Sequence, residues 1–186
     1  AYPAVGASAI LCAARIINRI EEIASRLAED RREDFDPPYT TLNVGVIRGG
    51  TAKNIIPGEC HFTLEWRPIP GQPASQVADL VSEVARREAD RTPGCDARVT
   101  VLRLDEAMET PADSPLVQML ERATGKRSGT VAFGTEAPQM IALGAHAVVL
   151  GPGNIREAHR TGEFVPIDEL NRCAEILRQA VSHFCL

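Results

Sequence analysis

The sequence predicts an α/β fold in two parts, and three observations carry that expectation. Apolar residues return every three or four positions in several long stretches, the mark of helices with one buried face. Shorter stretches between them alternate apolar and polar residues, the mark of half-buried strands. The order is helix, strand, strand, helix, strand in the first part, and helices alternating with short strands in the second.

The first helix follows Tyr2-Pro3 and presents Ile10, Ala13, Ile16, Ile17, Ile20, Ile23 and Leu27 on one face. A charged run over residues 29–36 and then Pro37-Pro38 end it, because proline lacks an amide donor and disfavours helix in the residue before it. Leu42, Val44 and Val46 alternate with Thr41, Asn43 and Gly45, and Phe62, Leu64 and Trp66 alternate with His61, Thr63, Glu65 and Arg67. These two strands are expected to pair antiparallel. Their connection, residues 48–60, exceeds what a hairpin needs, and long ordered loops are often functional. Asn54 in that loop either shapes the turn or offers its amide to a substrate. Arg67, on the same alternating face as Glu65, either forks onto a substrate carboxylate or pairs with a neighbouring acid.

Residues 75–91 predict a second helix through Val77, Leu80, Val81 and Val84, and residues 97–104 predict a valine- and leucine-rich strand. The result is a ferredoxin-like βαββαβ unit without its first strand, which in such a sheet lies in the middle. A natural domain rarely lacks a central strand, so the sequence is expected to be a piece of a longer protein. A charged, proline-containing stretch then sets a boundary between residues 1–105 and 106–186. Beyond it come a helix with Leu116, Val117, Met119 and Leu120, a strand at 130–133, a Gly134-Thr135-Glu136 turn, a short helix near 137–143 and a strand at 145–150. A closing helix carries the stripe Ile167, Leu170, Cys173, Ile176, Leu177, Ala180, Val181 and Phe184, with Asp168 and Glu169 near its positive end.

Composition narrows the function. The 25 acidic and 20 basic residues are interspersed, giving a net charge of −5 with no basic block, which argues against a nucleic-acid surface. No apolar run reaches membrane-spanning length and the start lacks the basic region of a secretory signal, so the expected location is the cytoplasm, with no membrane partner. Five cysteines, at 12, 60, 95, 173 and 185, form no CxxC pair and mostly sit in apolar patterns, so reduced, packed thiols are expected. Dinucleotide, phosphate-loop, serine-elbow and HExxH motifs are all missing from the sequence.

The chemistry is expected in residues 150–166, LGPGNIREAHRTGEFVP, where a buried apolar run stops at Gly151-Pro152-Gly153 and enters a polar loop. His159 at its centre suits a metal ligand, a general base or an ordinary surface residue. No second ligand lies within a few residues, so co-ligands to any metal must come from far away in the chain.

Four stretches taken together, GGTAKNIIPGECHFTLEWRPIPG, FGTEAPQM, VVLGPGNIREAHRTGEFVPIDEL and HFCL, resemble the dinuclear-zinc metallopeptidase and deacylase family. TEAP and HFC lean toward the branch that deacylates N2-acetylornithine in arginine biosynthesis, with the succinyl-diaminopimelate branch more distant. The resemblance implies that residues 1–105 are a lid and dimerisation domain and 106–186 the last part of a zinc-dependent catalytic domain. It implies two zinc ions, replaceable by cobalt, in a homodimeric enzyme hydrolysing a small N-acyl amino acid. His159 matches the family's last histidine ligand; the other ligands and the catalytic base match nothing in this sequence, so the chain alone is expected to be inactive. Asn54 and Arg67 match lid positions that the family uses to hold the substrate's α-carboxylate and amide. Gly134, Thr135, Glu136 and Gly153 match active-site loops, where Glu136 either meets substrate, orients a ligand or caps the following helix. A free-standing dimerisation module with a merely structural His159 is the alternative from a different class.

Overall fold

The computed structural model describes residues 6–185, so the expected lead-in at Tyr2-Pro3 and the last residue of the HFCL stretch lie outside the described residues. The chain is α/β and forms two compact units, Ala1–Ala107 and Met108–Leu186.

The first unit is built on α1 (Ala9–Leu27), β1 (Thr41–Gly49), β2 (Cys60–Arg67) and α2 (Ser75–Asp90). Ser8 starts α1, its hydroxyl accepting from the Leu11 amide at 3.3 Å and satisfying one donor the first turn leaves over. Cys12, Ala13, Ile16, Ile20, Ile23 and Leu27 are buried, most of the face the spacing predicts, while Ile10 in the first turn is 37% exposed. They meet Val77, Val81 and Ala85 of α2, and Leu42, Val44, Phe62, Leu64 and Trp66 of the sheet pack against the same cluster. Two helices therefore cover one face of a two-stranded antiparallel sheet and leave its other face to solvent.

The pairing runs Thr41 to Arg67, Leu42 to Trp66, Asn43 to Glu65 and Val44 to Leu64, then slips at a bulge so that Val46 opposes Thr63. Gly45 is the extra residue. The bulge overturns one expectation: Val46 does not continue the buried alternation of Leu42 and Val44 but is 48% exposed beside an outward-facing threonine.

Polar groups inside this unit are satisfied across long sequence separations. Thr40, 2% exposed, accepts from the Ile69 amide at 3.2 Å and donates to the Gln72 side chain, which in turn donates to Asp30. The Trp66 indole donates to the Ala74 carbonyl at 2.9 Å, and the Ala74 amide donates to Glu106 at 3.0 Å. Buried Glu88 of α2 accepts from Arg19 of α1 at 3.3 Å, joining the two helices.

The second unit contains α3 (Pro115–Thr124), α4 (Ala137–Ala142), a single 3-10 turn (Ile155–Glu157) and α5 (Ile167–Phe184). Met119 and Leu120 of α3 meet Ile176 of α5, with Val148, Leu150 and Ala180 packed around them. Arg172 donates to the Thr124 carbonyl at 2.7 Å, which ties α5 to the C-terminal end of α3.

Three expected strands are not formed. Residues 97–104, 130–133 and 145–150 carry strand-like patterns but belong to no ladder, and the sheet among the described residues has two strands. A strand needs a hydrogen-bonded neighbour, and an alternating pattern alone cannot supply one. The predicted stripe of α5 is correspondingly uncovered: Ile176 is buried, but Ile167, Leu170, Leu177, Val181 and Phe184 are between 46% and 76% exposed.

Candidate active-site loops

The loop ahead of α5 is organised by two carboxylates that lie downstream of the groups they hold. Gly153 takes φ 81°, where a side chain is disfavoured, and its amide donates to Glu169 in the first turn of α5 at 2.7 Å. Asn154 caps the short 3-10 turn through a 3.0 Å bond from the Arg156 amide. The chain then reaches His159, which has φ 61° and is the one non-glycine residue with positive φ among the described residues. Its amide donates to Glu163 at 2.9 Å, and the Glu163 amide closes a turn onto the Arg160 carbonyl at 3.1 Å. Left-handed backbone at a non-glycine residue costs on the order of 1 kcal/mol, and such strain gathers at functional sites. The imidazole is exposed at the end of this turn.

Gly134, Thr135 and Glu136 form the turn into α4. Thr135 caps that helix, its hydroxyl accepting from the Ala137 amide at 3.1 Å. Glu136 occupies the N-cap position but makes no side-chain cap, so capping is not its role, and the side chain is exposed. Gly134 has open space where a Cβ would stand, so nothing in the described residues requires glycine there.

In the first unit, Asn54 is exposed in the β1–β2 loop, where the Ile55 amide closes a turn onto Ala52 at 3.2 Å. Gly50 bonds Glu59 across the loop's base at 3.3 Å, and Pro57 accepts from the Ala9 amide at 2.9 Å, fastening the loop to the start of α1. Arg67 sits at the other end of β2, where its guanidinium pairs with Glu65 at 2.9 Å with both side chains more than half exposed. The full length of β2 separates the two, roughly 23 Å at the rise of an extended strand. The structure thus gives Arg67 the neighbouring acid that the alternation allowed, and it does not bring Asn54 and Arg67 together within one copy. A groove of about 770 Å³ between α1 and α2, lined by Arg19, Arg26, Arg87, Glu88 and Arg91 among others, contains none of these residues.

Glu163 and Glu169 do more than their sequence positions indicate: one fixes the His159 backbone, the other the Gly153 amide. The signal for both was present, a carboxylate four residues after a loop histidine and another at a helix start, but neither spacing is distinctive alone. Among the described residues no group of three or more His, Cys, Asp or Glu could hold a metal ion. His159 is a single donor, so the described residues do not amount to a metal site. Nor is any described helix long and apolar enough to cross a membrane.

A two-helix layer on an antiparallel hairpin, followed by a unit with a strained histidine loop, makes this an α/β chain. Residues 1–93 match the family model of the peptidase dimerisation domain, and the chain belongs to that M20 family. It is 52% identical over 186 residues to acetylornithine deacetylase of Myxococcus xanthus, covering 100% of this chain and 49% of that protein. It is 36% identical over 187 residues to acetylornithine deacetylase of Klebsiella pneumoniae strain 342, covering 98% of this chain and 48% of the relative. The chain therefore spans about half the length of the curated relatives it matches. A crystal structure of an M20 family metallo-carboxypeptidase from Sulfolobus solfataricus aligns with a TM-score of 0.57 at 16% identity, over 87% of this chain and 42% of the other, a likeness of fold.

Proposed function

We propose that this chain is the lid and the closing segment of an amide hydrolase that cleaves N-acyl amino acids, with N2-acetyl-L-ornithine as substrate and L-ornithine and acetate as products. The observation that carries the reading is the 52% identity to an acetylornithine deacetylase over all 186 residues, because it runs through both units rather than the dimerisation module alone. The first unit is read as the lid and homodimer contact, and the second as the end of a catalytic domain.

His159 is read as one imidazole ligand to the metal of the complete enzyme, zinc with cobalt as a substitute. Since the described residues do not make a metal site by themselves, the remaining ligands and the proton-shuttling base are assigned to the length of the relatives that this chain does not span. Arg67 would exchange Glu65 for the substrate's α-carboxylate, a planar partner its guanidinium can grip with two bonds. Asn54, reaching in from the other copy of the dimer, would donate its amide to the substrate's carbonyl. Gly134, Thr135 and Gly153 would shape the wall against which the acyl group rests, and exposed Glu136 would favour the terminal cation of an ornithine side chain. Small polar substrates of this kind fit a cytoplasmic enzyme without nucleic-acid or membrane partners.

The test is hydrolysis by the full-length protein of N2-acetyl-L-ornithine, N-succinyl-L,L-diaminopimelate and a set of neutral N-acetyl amino acids. The expected result is a kcat/KM for acetylornithine at least about tenfold above the others, a margin that a few specific contacts supply. Preference for the succinylated substrate would move the protein to another deacylase of the family. A dimer that hydrolyses none of them would make it a non-catalytic module.

A further inference from the structure

The backbone from Gly153 to His159 is held by consecutive hydrogen bonds, and a carboxylate takes the bond at each end. At the start, the Gly153 amide donates to Glu169 at 2.7 Å. Asn154 then receives two donors, the Arg156 amide on its side-chain oxygen at 3.0 Å and the Glu157 amide on its carbonyl at 2.9 Å. The Ala158 amide donates to the Ile155 carbonyl at 3.2 Å, and the His159 amide donates to Glu163 at 2.9 Å. A segment bonded in this way moves as one piece, so whatever fixes its first residue also fixes its last.

The start of the segment is fixed from α5. Glu169 lies in the first turn of that helix, 16 residues beyond Gly153. Val165, just ahead of the helix, lines the other side, where its Cγ2 would stand 3.4 Å from a Cβ added at Gly153. The helix is itself anchored, with Ile176 packed against Met119 and Leu120 of α3 and Arg172 bonded to the Thr124 carbonyl. The route from this packed pair of helices to His159 therefore passes through the Glu169 carboxylate and the Gly153 amide.

We propose that Glu169 is a positioning residue for His159: it pins the start of the bonded segment to α5 and so sets where the imidazole stands. Its consequence for turnover rests on the reading of the protein as an amide hydrolase that uses His159, whereas the pinning itself does not. A carboxylate in this turn also favours the positive end of the helix, and that role depends on its charge rather than on the bond to Gly153. Glutamine separates the two, because it keeps an acceptor oxygen and loses the charge.

The experiment compares the full-length parent, Glu169→Ala, Glu169→Gln and His159→Ala by hydrogen exchange read at single amides and by steady-state kinetics with N2-acetyl-L-ornithine. In Glu169→Ala the Gly153 and His159 amides should both exchange about tenfold faster, the effect of losing a bond to a charged acceptor, although Glu163 is untouched. The Ile176 amide, in the middle of α5, should keep its parental rate. The kcat should fall by about 10- to 100-fold with KM within about twofold, as expected when a reacting group is misplaced and substrate binding is not. Glu169→Gln should restore most of both losses. Faster exchange confined to Gly153, an equal rise at Ile176, a glutamine variant no better than alanine, or a parental kcat in Glu169→Ala beside an inactive His159→Ala would each overturn the proposal. Should His159→Ala turn over like the parent, the reading of the histidine fails, and the exchange rates alone decide for or against the pinning.

Discussion

The amide of His159 donates to the carboxylate of Glu163 at 2.9 Å, and this bond spans the turn in which His159 is held at φ 61°. The histidine's direction is thus set through its backbone rather than through its ring. On the proposed reading of His159 as a metal ligand, replacing Glu163 with alanine in the full-length protein should lower kcat/KM by about 10- to 100-fold, the usual effect of losing a group that orients a ligand. The melting temperature should stay nearly unchanged, because the turn is exposed. Steady-state kinetics beside a thermal melt checks both, and a variant as active as the parent would remove Glu163 from any positioning role.

Asn54 and Arg67 stand at opposite ends of β2, too far apart in one copy to hold one small amino acid together. On the proposed reading of Arg67 as the substrate's carboxylate partner, Arg67→Ala is expected to raise KM about tenfold with little change in kcat, since such a grip serves ground state and transition state alike. In Asn54→Ala/Arg67→Ala the losses should add to within about 0.5 kcal/mol if the two contact different substrate molecules. Coupling well beyond that in a double-mutant cycle would show both acting on one substrate.

Ile20 is 1% exposed at the centre of the first unit's core, while Leu102 is 86% exposed. Ile20→Ala should cost roughly 2–5 kcal/mol through lost transfer energy and the cavity left behind. Leu102→Ala should change stability by less than about 0.5 kcal/mol. Urea unfolding of the two variants side by side measures the contrast.

Glu121 accepts from the Ser128 amide at 2.7 Å and the Ser128 hydroxyl at 2.8 Å, and these bonds, the amide first, hold its carboxyl below the ordinary range. A depressed folded-state pKa contributes stability that is present above the unfolded value and is lost as pH falls through the folded one. Ser128→Ala removes only the hydroxyl, so the Glu121 titration should move part of the way back up. Carboxyl NMR of both proteins between about pH 2 and 6 reads the shift.

The helices were legible because their causes are local. Ile16, Ile20, Ile23 and Leu27 recur at helical spacing, Ser8 supplies a cap, and Pro115 begins α3 where a missing amide donor does no harm. The antiparallel pairing of β1 with β2 followed from alternation that both strands carry. The His159 loop was recognisable from its glycines and prolines at the end of an apolar run. Its strained backbone and the two carboxylates that hold it were not, since Glu163 and Glu169 also read as ordinary charges.

What the sequence determined by itself was therefore the run of helices and the alternation within β1 and β2, because each depends on neighbours a few residues away. Tertiary structure alone decided the bulge at Gly45 that turns Val46 outward and the ion pair that Arg67 makes with Glu65. It also decided that residues 97–104, 130–133 and 145–150 stay outside any ladder despite their strand-like patterns. Strand pairing is a relation between distant residues, and the identity of one partner does not contain the position of the other.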